Sequence, residues 1–347
     1  MKKSPVKILL ADDSIFMRLF LTNIFHAETD IEVIATASNG KEAVEKTKLH
    51  KPDVVVIDMN MGQYDGMYGI EKIMKEVPTP IIILSAVGNT DFPAIEKALK
   101  LGAVDYVNKP TNAGMQMKEI MSELVQKIKA AANANIKVGN TVLNTKANSN
   151  AHTFSDLNYD VIVIGSSTGG PGAIEVLIRN LPENMKVPIL IAQHMPSNFV
   201  PSFAARLNEL SPLEICMARK GDVLKPGYIY IAPGSRNMVV KKNESGQPEI
   251  DFSSKVFKEY NYPSVDCLMT SVAEVYENRT IGVILTGMGK DGSLGMKAIK
   301  GKGGYTIAQD QGTSVVYGMP KHVVDNGNAK AVVPINEMGG YIVSCLS

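Results

Sequence analysis

The chain of 347 residues contains no tryptophan and only three cysteines, Cys216, Cys267 and Cys345. Their wide spacing argues against a disulfide framework and a cysteine metal motif, and it favours reduced thiols in the cytoplasm. No apolar run approaches the roughly 20 residues of a membrane helix, and the N-terminus lacks a signal-peptide core. The net charge of +1 gives no electrostatic reason to expect nucleic acid or an anionic membrane as a partner. We therefore expect a cytoplasmic protein that neither inserts into membranes nor binds nucleic acid.

The length predicts about two domains. Residues 5–125 alternate apolar strand patterns with helical patterns five times, which predicts a doubly wound (βα)5 parallel sheet of the α/β class. An asparagine-rich stretch with fading periodicity then predicts a linker. The remainder mixes strand and helix patterns with turn signals, so we expect a mostly parallel α/β domain with an antiparallel portion. The predicted boundaries are 1–125, a linker at 126–157, and 158–347.

Polar residues follow four predicted strands of the first domain: Asp12, Asp13, Asp58, Ser85 and Lys109. Because ligand sites of open parallel sheets lie beyond the carboxyl ends of the strands, these side chains are expected to meet. Three carboxylates repel one another unless a cation lies among them, and their hard oxygens suit Mg²⁺. A metal-bound Asp58 can attack a phosphoryl group, while Ser85 hydrogen-bonds that group and Lys109 neutralises its charge.

The second domain opens with an apolar strand that runs into Gly165-x-Ser167-x-Gly169 and then a helical pattern. This spacing is typical of a tight strand-to-helix turn that exposes Ser167 near a helix N-terminus. Main-chain N–H groups there are suited to holding a developing oxyanion. The adjacent Ser166 is an alternative nucleophile at this point.

A serine nucleophile needs a base and an orienting acid. Of the histidines, only His194 and His322 lie in the second domain. His194 follows a predicted strand, as Ser167 does, and Asp291 lies in a glycine-rich turn after another strand. The α/β-hydrolase order of serine, acid and histidine would instead require His322 as base, although His322 is expected to be a packing position.

Residues 5–125 resemble the receiver domain of bacterial response regulators. The resemblance rests on Asp12-Asp13, Asp58, Asp65-Gly66, Ser85-Ala86 and Lys109-Pro110, with Tyr106 at the aromatic switch position. Receivers commonly have proline shortly after the phosphorylated aspartate, where this chain has Gly62. Glycine predicts a looser loop at that point.

The second domain carries a group of motifs that together resemble the CheB family of chemotaxis methylesterases. They are Gly165-Ser166-Ser167-Thr168-Gly169-Gly170-Pro171, Gln193-His194-Met195-Pro196, Ala232-Pro233-Gly234, Pro263-Ser264-Val265-Asp266, Thr286-Gly287-Met288-Gly289-Lys290-Asp291-Gly292 and Gly318-Met319-Pro320. The resemblance implies Ser167 as nucleophile, His194 as base and Asp291 as orienting acid. It places Thr168 and Met288 at the oxyanion region and in support of the site. The family more often has alanine at position 166 and an acidic residue at Gln311.

This resemblance implies hydrolysis of glutamate methyl esters on chemoreceptors with release of methanol, and deamidation of receptor glutamines. It also implies that the receiver covers the Ser167 crevice until a chemotaxis histidine kinase phosphorylates Asp58. We expect a monomer with Mg²⁺ in the receiver and no cofactor for the ester reaction. Two rival hypotheses are an output domain that only binds a partner and an α/β-hydrolase that uses His322.

Overall fold

The computed structural model describes residues 4–85, 92–109, 115–136, 157–254 and 262–346. The chain divides into two compact units, residues 1–141 and 142–347. Most of the predicted linker, residues 137–156, lies outside the described residues, and the domain boundaries above stay predictions.

The first unit alternates strands with helices. Its described strands are β1 (Val6–Ala11), β2 (Ile31–Ala37), β3 (Val54–Asp58), β4 (Ile81–Ser85) and β5 (Asp105–Asn108). Its described helices are α1 (Ile15–His26), α2 (Gly40–His50), α3 (Gly66–Glu76), α4 (Phe92–Lys100) and α5 (Met115–Ala131). The strands form one parallel sheet in the order β2-β1-β3-β4-β5. This confirms the predicted (βα)5 receiver architecture.

Local sequence explains where these elements begin. Every residue of β3 and β4 is buried, as expected of apolar strands inside a parallel sheet that helices cover on both faces. Helix α1 begins after Ser14, whose hydroxyl accepts a hydrogen bond from the Met17 N–H at 3.3 Å. Helix α3 begins after Asp65, whose carboxylate accepts from the Tyr68 N–H at 2.8 Å. These caps satisfy N–H groups that a helix leaves without partners and hold both helices at the carboxyl edge of the sheet.

The second unit contains a larger parallel sheet and a small antiparallel one. Its described strands are β6 (Val161–Ser166), β7 (Ile189–Gln193), β8 (Glu214–Met217), β9 (Tyr228–Ile231), β10 (Asn237–Lys242), β11 (Pro248–Ser253), β12 (Thr280–Ile284), β13 (Tyr305–Gln309) and β14 (Ala331–Val333). Seven form a parallel sheet in the order β14-β13-β12-β6-β7-β9-β8, whereas β10 and β11 pair antiparallel. The predicted mixture of a mostly parallel sheet and an antiparallel portion is confirmed.

Helices cover this sheet. The described ones are α6 (Gly170–Arg179), α7 (Val200–Leu210), α8 (Val265–Tyr276), α9 (Ser293–Gly301), α10 (Met319–Asp325) and α11 (Ile335–Leu346), with a 3₁₀ turn at Glu277–Arg279. Strands β6, β7 and β12 are buried along their whole length and form the centre of the sheet. Their carboxyl ends therefore lie side by side. Among the helices that the structure describes, none combines the length and the apolar character required to cross a bilayer.

Candidate active site

Ser167 lies in the turn between β6 and α6. Its N–H donates to the carbonyl of Thr286 at 3.1 Å, and its carbonyl accepts from the N–H of Gly170 at 2.7 Å. Ser167 is 6% exposed, whereas Ser166 is 0% exposed and its hydroxyl donates to Oε1 of Gln193 at 2.6 Å. The two serines therefore differ in environment: the Ser166 hydroxyl is buried and occupied, which favours Ser167 as the reactive one.

The sheet register brings His194 alongside Ser167. Ser166 pairs with Gln193 at the ends of β6 and β7, and the N–H of His194 donates to the carbonyl of Ser166 at 3.0 Å. Ser167 and His194 are consequently the next residues beyond two neighbouring parallel strands. Parallel pairing alone thus places the predicted nucleophile beside the predicted base.

Asp291 reaches the same place from the other side of β6. Strand β12 flanks β6 opposite β7, and Asp291 follows β12 in the loop before α9. Nε2 of His194 lies 2.8 Å from Oδ2 of Asp291, so this hydrogen bond spans the end of β6, where Ser167 lies. The hydrogen bond from a nucleophile hydroxyl to its base often tightens only when substrate binds.

His322 does not join this group. It is exposed in α10, which corrects the expectation that it is a packing position. Asp291, the predicted orienting acid, pairs with His194. The geometry therefore favours the order Ser167, His194, Asp291 over the α/β-hydrolase order.

The N-terminus of α8 surrounds the Asp291 carboxylate with donors. The N–H of Val265 donates to Oδ2 at 2.7 Å, and Oδ1 accepts from the N–H groups of Asp266 at 2.9 Å and Gly292 at 3.0 Å. The Ser264 hydroxyl adds a contact of 3.2 Å to Oδ1. Burial alone would raise the pKa of Asp291, but the His194 hydrogen bond and these main-chain donors hold that pKa below its ordinary value. Asp291 is therefore an ionised carboxylate suited to orienting an imidazole.

The Asp266 carboxylate makes the reciprocal contact with α9. Its Oδ1 accepts from the N–H of Gly295 at 2.8 Å, in the first turn of that helix. The positive N-terminal end of α8 thus lies against the carboxylate of Asp291, which precedes α9. The N-terminal end of α9 lies against the carboxylate of Asp266, which belongs to α8. Burial and the neighbouring charge of Asp291 raise the pKa of Asp266 to about 7. The segment containing Ser264 and Asp266 is one of the motifs that resemble the CheB family, but the sequence alone predicts no role for it.

Thr168 and Met288 lie in the two loops next to Ser167. Thr168 follows β6, and Met288 follows β12. Thr168 is buried, and its carbonyl accepts from the Thr286 hydroxyl at 2.9 Å, which ties the turn after β6 to the loop after β12. Met288 is half-buried in that second loop. Among the described residues, no hydrogen bond engages the main-chain N–H of Met288. This N–H is available to an oxyanion.

The predicted receiver residues also come together. Lys109 Nζ lies 2.7 Å from Oδ2 of Asp12 and 2.7 Å from Oδ2 of Asp58. Ser85 is buried at the end of β4, and its carbonyl accepts from the Lys109 N–H at 2.5 Å. Burial raises the pKa of Asp58, with the nearby Asp12 charge acting in the same direction and Lys109 opposing it.

This acidic pocket fits a divalent cation. Carboxylate oxygens of Asp12, Asp13 and Asp58 lie within 4.8 Å of one another. Oδ2 of Asp12 is buried, and apart from the Lys109 ammonium 2.7 Å away no donor reaches it among the described residues. A buried carboxylate oxygen with unused acceptor capacity beside two further carboxylates is typical of a Mg²⁺ site.

The structure gives a reason for the departure from the receiver pattern at Gly62 and none for the departure at Gln311. Gly62 has a φ of 72°, in the left-handed region that proline cannot enter. The glycine therefore supports a particular backbone turn, which differs from the expected simple loosening of the loop. Gln311 is exposed, and nothing in the structure explains its difference.

The chain is similar to known proteins along nearly its whole length. A family model described as CheB methylesterase matches residues 162–342, and one described as response regulator receiver domain matches residues 8–122. A protein-glutamate methylesterase/protein-glutamine glutaminase of Desulfitobacterium hafniense is 39% identical over 386 residues, covering 99% of this chain and 98% of that protein. Its namesake in Thermotoga maritima is 38% identical over 331 residues and 95% of each chain.

A solved structure agrees with these relatives. The crystal structure of the Thermotoga maritima CheB methylesterase catalytic domain aligns with a TM-score of 0.53 and 40% identity, covering 54% of this chain and 99% of that domain. The chain belongs to the CheB methylesterase family and carries a response regulator receiver domain in front of its catalytic domain.

Proposed function

We propose that this protein is a receiver-regulated protein-glutamate methylesterase and protein-glutamine glutaminase that acts on chemoreceptors. The observation that carries the proposal is the His194–Asp291 hydrogen bond across the end of the strand that presents Ser167. The activity for which the relatives from Desulfitobacterium hafniense and Thermotoga maritima are named supports the substrate class.

The geometry supports a two-stage acyl transfer. Asp291 contacts Nε2 of His194, and Nδ1 is the ring nitrogen that takes the proton of the Ser167 hydroxyl. Oγ of Ser167 then bonds to the ester carbonyl carbon, and the carbonyl electron pair moves to oxygen. The N–H of Met288 stabilises that oxyanion.

Collapse of this intermediate breaks the bond to the methoxy oxygen, and His194 returns the proton so that methanol leaves. Water, deprotonated by His194, attacks the acyl-enzyme and releases the glutamate carboxylate and Ser167. A glutamine side chain follows the same course with ammonia as the leaving group. Both reactions place a negative charge on the receptor where there was none.

Phosphorylation of Asp58 regulates this activity. The carboxylate of Asp58 attacks the phosphoryl group of a phosphohistidine in a chemotaxis kinase, and the histidine leaves. Asp12, Asp13 and Asp58 would hold a Mg²⁺ ion, which neutralises phosphoryl charge when bound. Lys109 and the Ser85 hydroxyl contact the transferred phosphoryl oxygens. The protein works as a monomer in the cytoplasm, with chemoreceptors and the kinase as partners.

The test is methanol release from membranes that contain methylated chemoreceptors. Ser167→Ala should reduce release to the background rate, because no other hydroxyl occupies its position. Ser202→Ala, a change at an exposed serine of α7, is the matched control and should release methanol at the wild-type rate. Acetyl phosphate should accelerate release by the wild type and should not accelerate Asp58→Asn. Undiminished release by Ser167→Ala would overturn the proposal, and no release by the wild type would favour a domain that only binds a partner.

A further inference from the structure

Gln193 is a buried residue that touches both loops of the candidate active site. It ends β7 and is 3% exposed. Its Nε2 donates to the carbonyl of Ser167 at 3.0 Å and to the carbonyl of His194 at 2.9 Å. Its Oε1 accepts from the Ser166 hydroxyl at 2.6 Å. One side-chain amide therefore links the main chain of the nucleophile to the main chain of the base.

The chemistry of these partners fixes the amide orientation. Two carbonyl oxygens can only accept, so the end of the amide that faces them has to be the NH₂ group with its two donors. A rotated amide would place its own oxygen against both carbonyls and lose both hydrogen bonds. Because the group is buried, that loss would cost free energy and the rotated state is disfavoured.

We propose that Gln193 is a positioning residue that sets the separation between the Ser167 hydroxyl and the His194 imidazole. This inference rests on the proposed esterase function. The backbone bond from His194 N–H to the Ser166 carbonyl already joins the strands. Gln193 extends that connection past the strand ends, to the two carbonyls of the residues that react. Proton transfer between those residues is sensitive to their separation, so loss of the link lowers the rate of chemistry more than substrate affinity.

Ser166 strengthens the link in this chain. Its hydroxyl is the donor to Gln193 Oε1, and alanine cannot make that bond. Ser166→Ala therefore removes one of three hydrogen bonds and leaves both links from Gln193 to the reacting residues. Its effect should be the smaller one.

Gly170 offers an independent way to move the Gln193 amide. A Cβ at Gly170 would collide with Oε1 of Gln193 and approach Cβ of Ser166 at 2.9 Å. Gly170→Ala therefore displaces the amide without removing any of its polar atoms, and it adds a residue with higher helix propensity at the start of α6.

The experiment measures three quantities on the full chain: the second-order rate of labelling by a fluorophosphonate, kcat and KM for methanol release, and the melting temperature. Gln193→Met keeps the size of the side chain and removes all its polar atoms, whereas Gln193→Glu keeps the acceptor for Ser166 and removes both donors. Both should lower kcat and the labelling rate by about 10–100-fold with KM within about twofold of the wild type. Ser166→Ala should lower both rates by less than about fivefold.

A merely structural role predicts a different pattern. It gives lower melting temperatures with unchanged kcat and labelling rates in folded protein, and that result would overturn the inference. If Gln193→Met does not fold, Gly170→Ala decides: a reduced labelling rate at a wild-type melting temperature supports the inference, and an unchanged rate contradicts it. Labelling requires no receptor, so rapid wild-type labelling without methanol release would reject the proposed substrate while this test still stands.

Discussion

The buried carboxylates of the two candidate sites differ in their hydrogen-bond donors and in the direction in which their pKa is shifted. In the receiver, Asp12 and Asp58 share one lysine side chain, and among the described residues no second donor reaches Oδ2 of Asp12. In the catalytic domain, Asp291 receives donors from the start of α8 as well as from His194. The pKa of Asp58 is raised by burial, whereas that of Asp291 is lowered despite burial.

The difference separates two roles for the same functional group. A carboxylate with unused acceptor capacity, such as Asp12, has room to bind a cation. A carboxylate whose acceptors are occupied by fixed donors is held in place and kept ionised, so it orients a neighbour and does not itself react. Both sites lie at the carboxyl ends of parallel strands, and the surrounding donors decide what each carboxylate does.

The largest expected effect comes from reversing the donor pattern around Asp291. Asp291→Asn replaces one acceptor with an NH₂ group that faces N–H donors, and it leaves His194 in the wrong tautomer. We expect methanol release to fall by about 10³–10⁴-fold. The control is Asp58 phosphorylation by acetyl phosphate, which should be unaffected because that reaction uses receiver residues. A loss of less than about tenfold would contradict the orienting role.

The next effect tests the unused acceptor capacity of the receiver. Asp12→Asn should raise the Mg²⁺ concentration needed for half-maximal phosphorylation by more than about tenfold. Tenfold is roughly the effect of losing a group that supports a metal ligand without binding the metal itself. The measurement is incorporation of radiolabelled phosphate against Mg²⁺ concentration. Asp30→Asn removes a carboxylate that pairs with Lys129 at 2.8 Å, outside this site, and should leave the curve in place. Equal curves for both variants would remove Asp12 from the metal site.

A third prediction concerns Asp266, whose pKa of about 7 lies above the ordinary aspartate value of about 4. Folding therefore takes up a proton between these pH values, so the contribution of Asp266 to stability decreases as pH rises from about 4 to 7. Asp266→Asn should reduce the difference in unfolding free energy between pH 5 and pH 7.5, as measured by urea denaturation. An unchanged difference would show that Asp266 titrates normally.

The smallest effect is expected at Gly62. Gly62→Pro forces φ from 72° to about −65°, and we expect the receiver to lose about 1–3 kcal/mol of unfolding free energy. Gly62→Asn should cost less, because asparagine tolerates the left-handed region. Denaturant unfolding of both variants provides the measurement. Equal stability of the proline variant and the wild type would mean that the left-handed turn is not required.

Much of both sites could be predicted from the rule that polar residues after parallel strands meet at one edge of the sheet. It predicted that Asp12, Asp58 and Lys109 meet, and they do, because parallel strands deliver their next residues to one edge. It placed His194 and Asp291 together for the same reason. It did not decide whether Ser166 or Ser167 is the nucleophile, since alternation in a buried strand does not show which hydroxyl has an internal hydrogen-bond partner.

What the sequence could not provide was the set of groups that support the reacting residues. Gln193 bonds to Ser166 and Ser167, and Asp266 bonds to Gly295, across more than 25 residues of sequence, and no local periodicity encodes such pairs. The main-chain donors around Asp291 depend on where α8 begins in space. The sequence predicts a loose loop at Gly62. The left-handed φ angle of this residue is a property of the folded loop, so the residue type alone does not predict it.

The most direct measurement of the central claim is the site of a fluorophosphonate adduct, determined by peptide mass spectrometry, and its rate of formation in wild type and His194→Ala. We expect the adduct on Ser167 in the wild type, with labelling of His194→Ala reduced by at least about 100-fold. An adduct on Ser166, or equally fast labelling of both proteins, would contradict a serine activated by the imidazole that Asp291 orients.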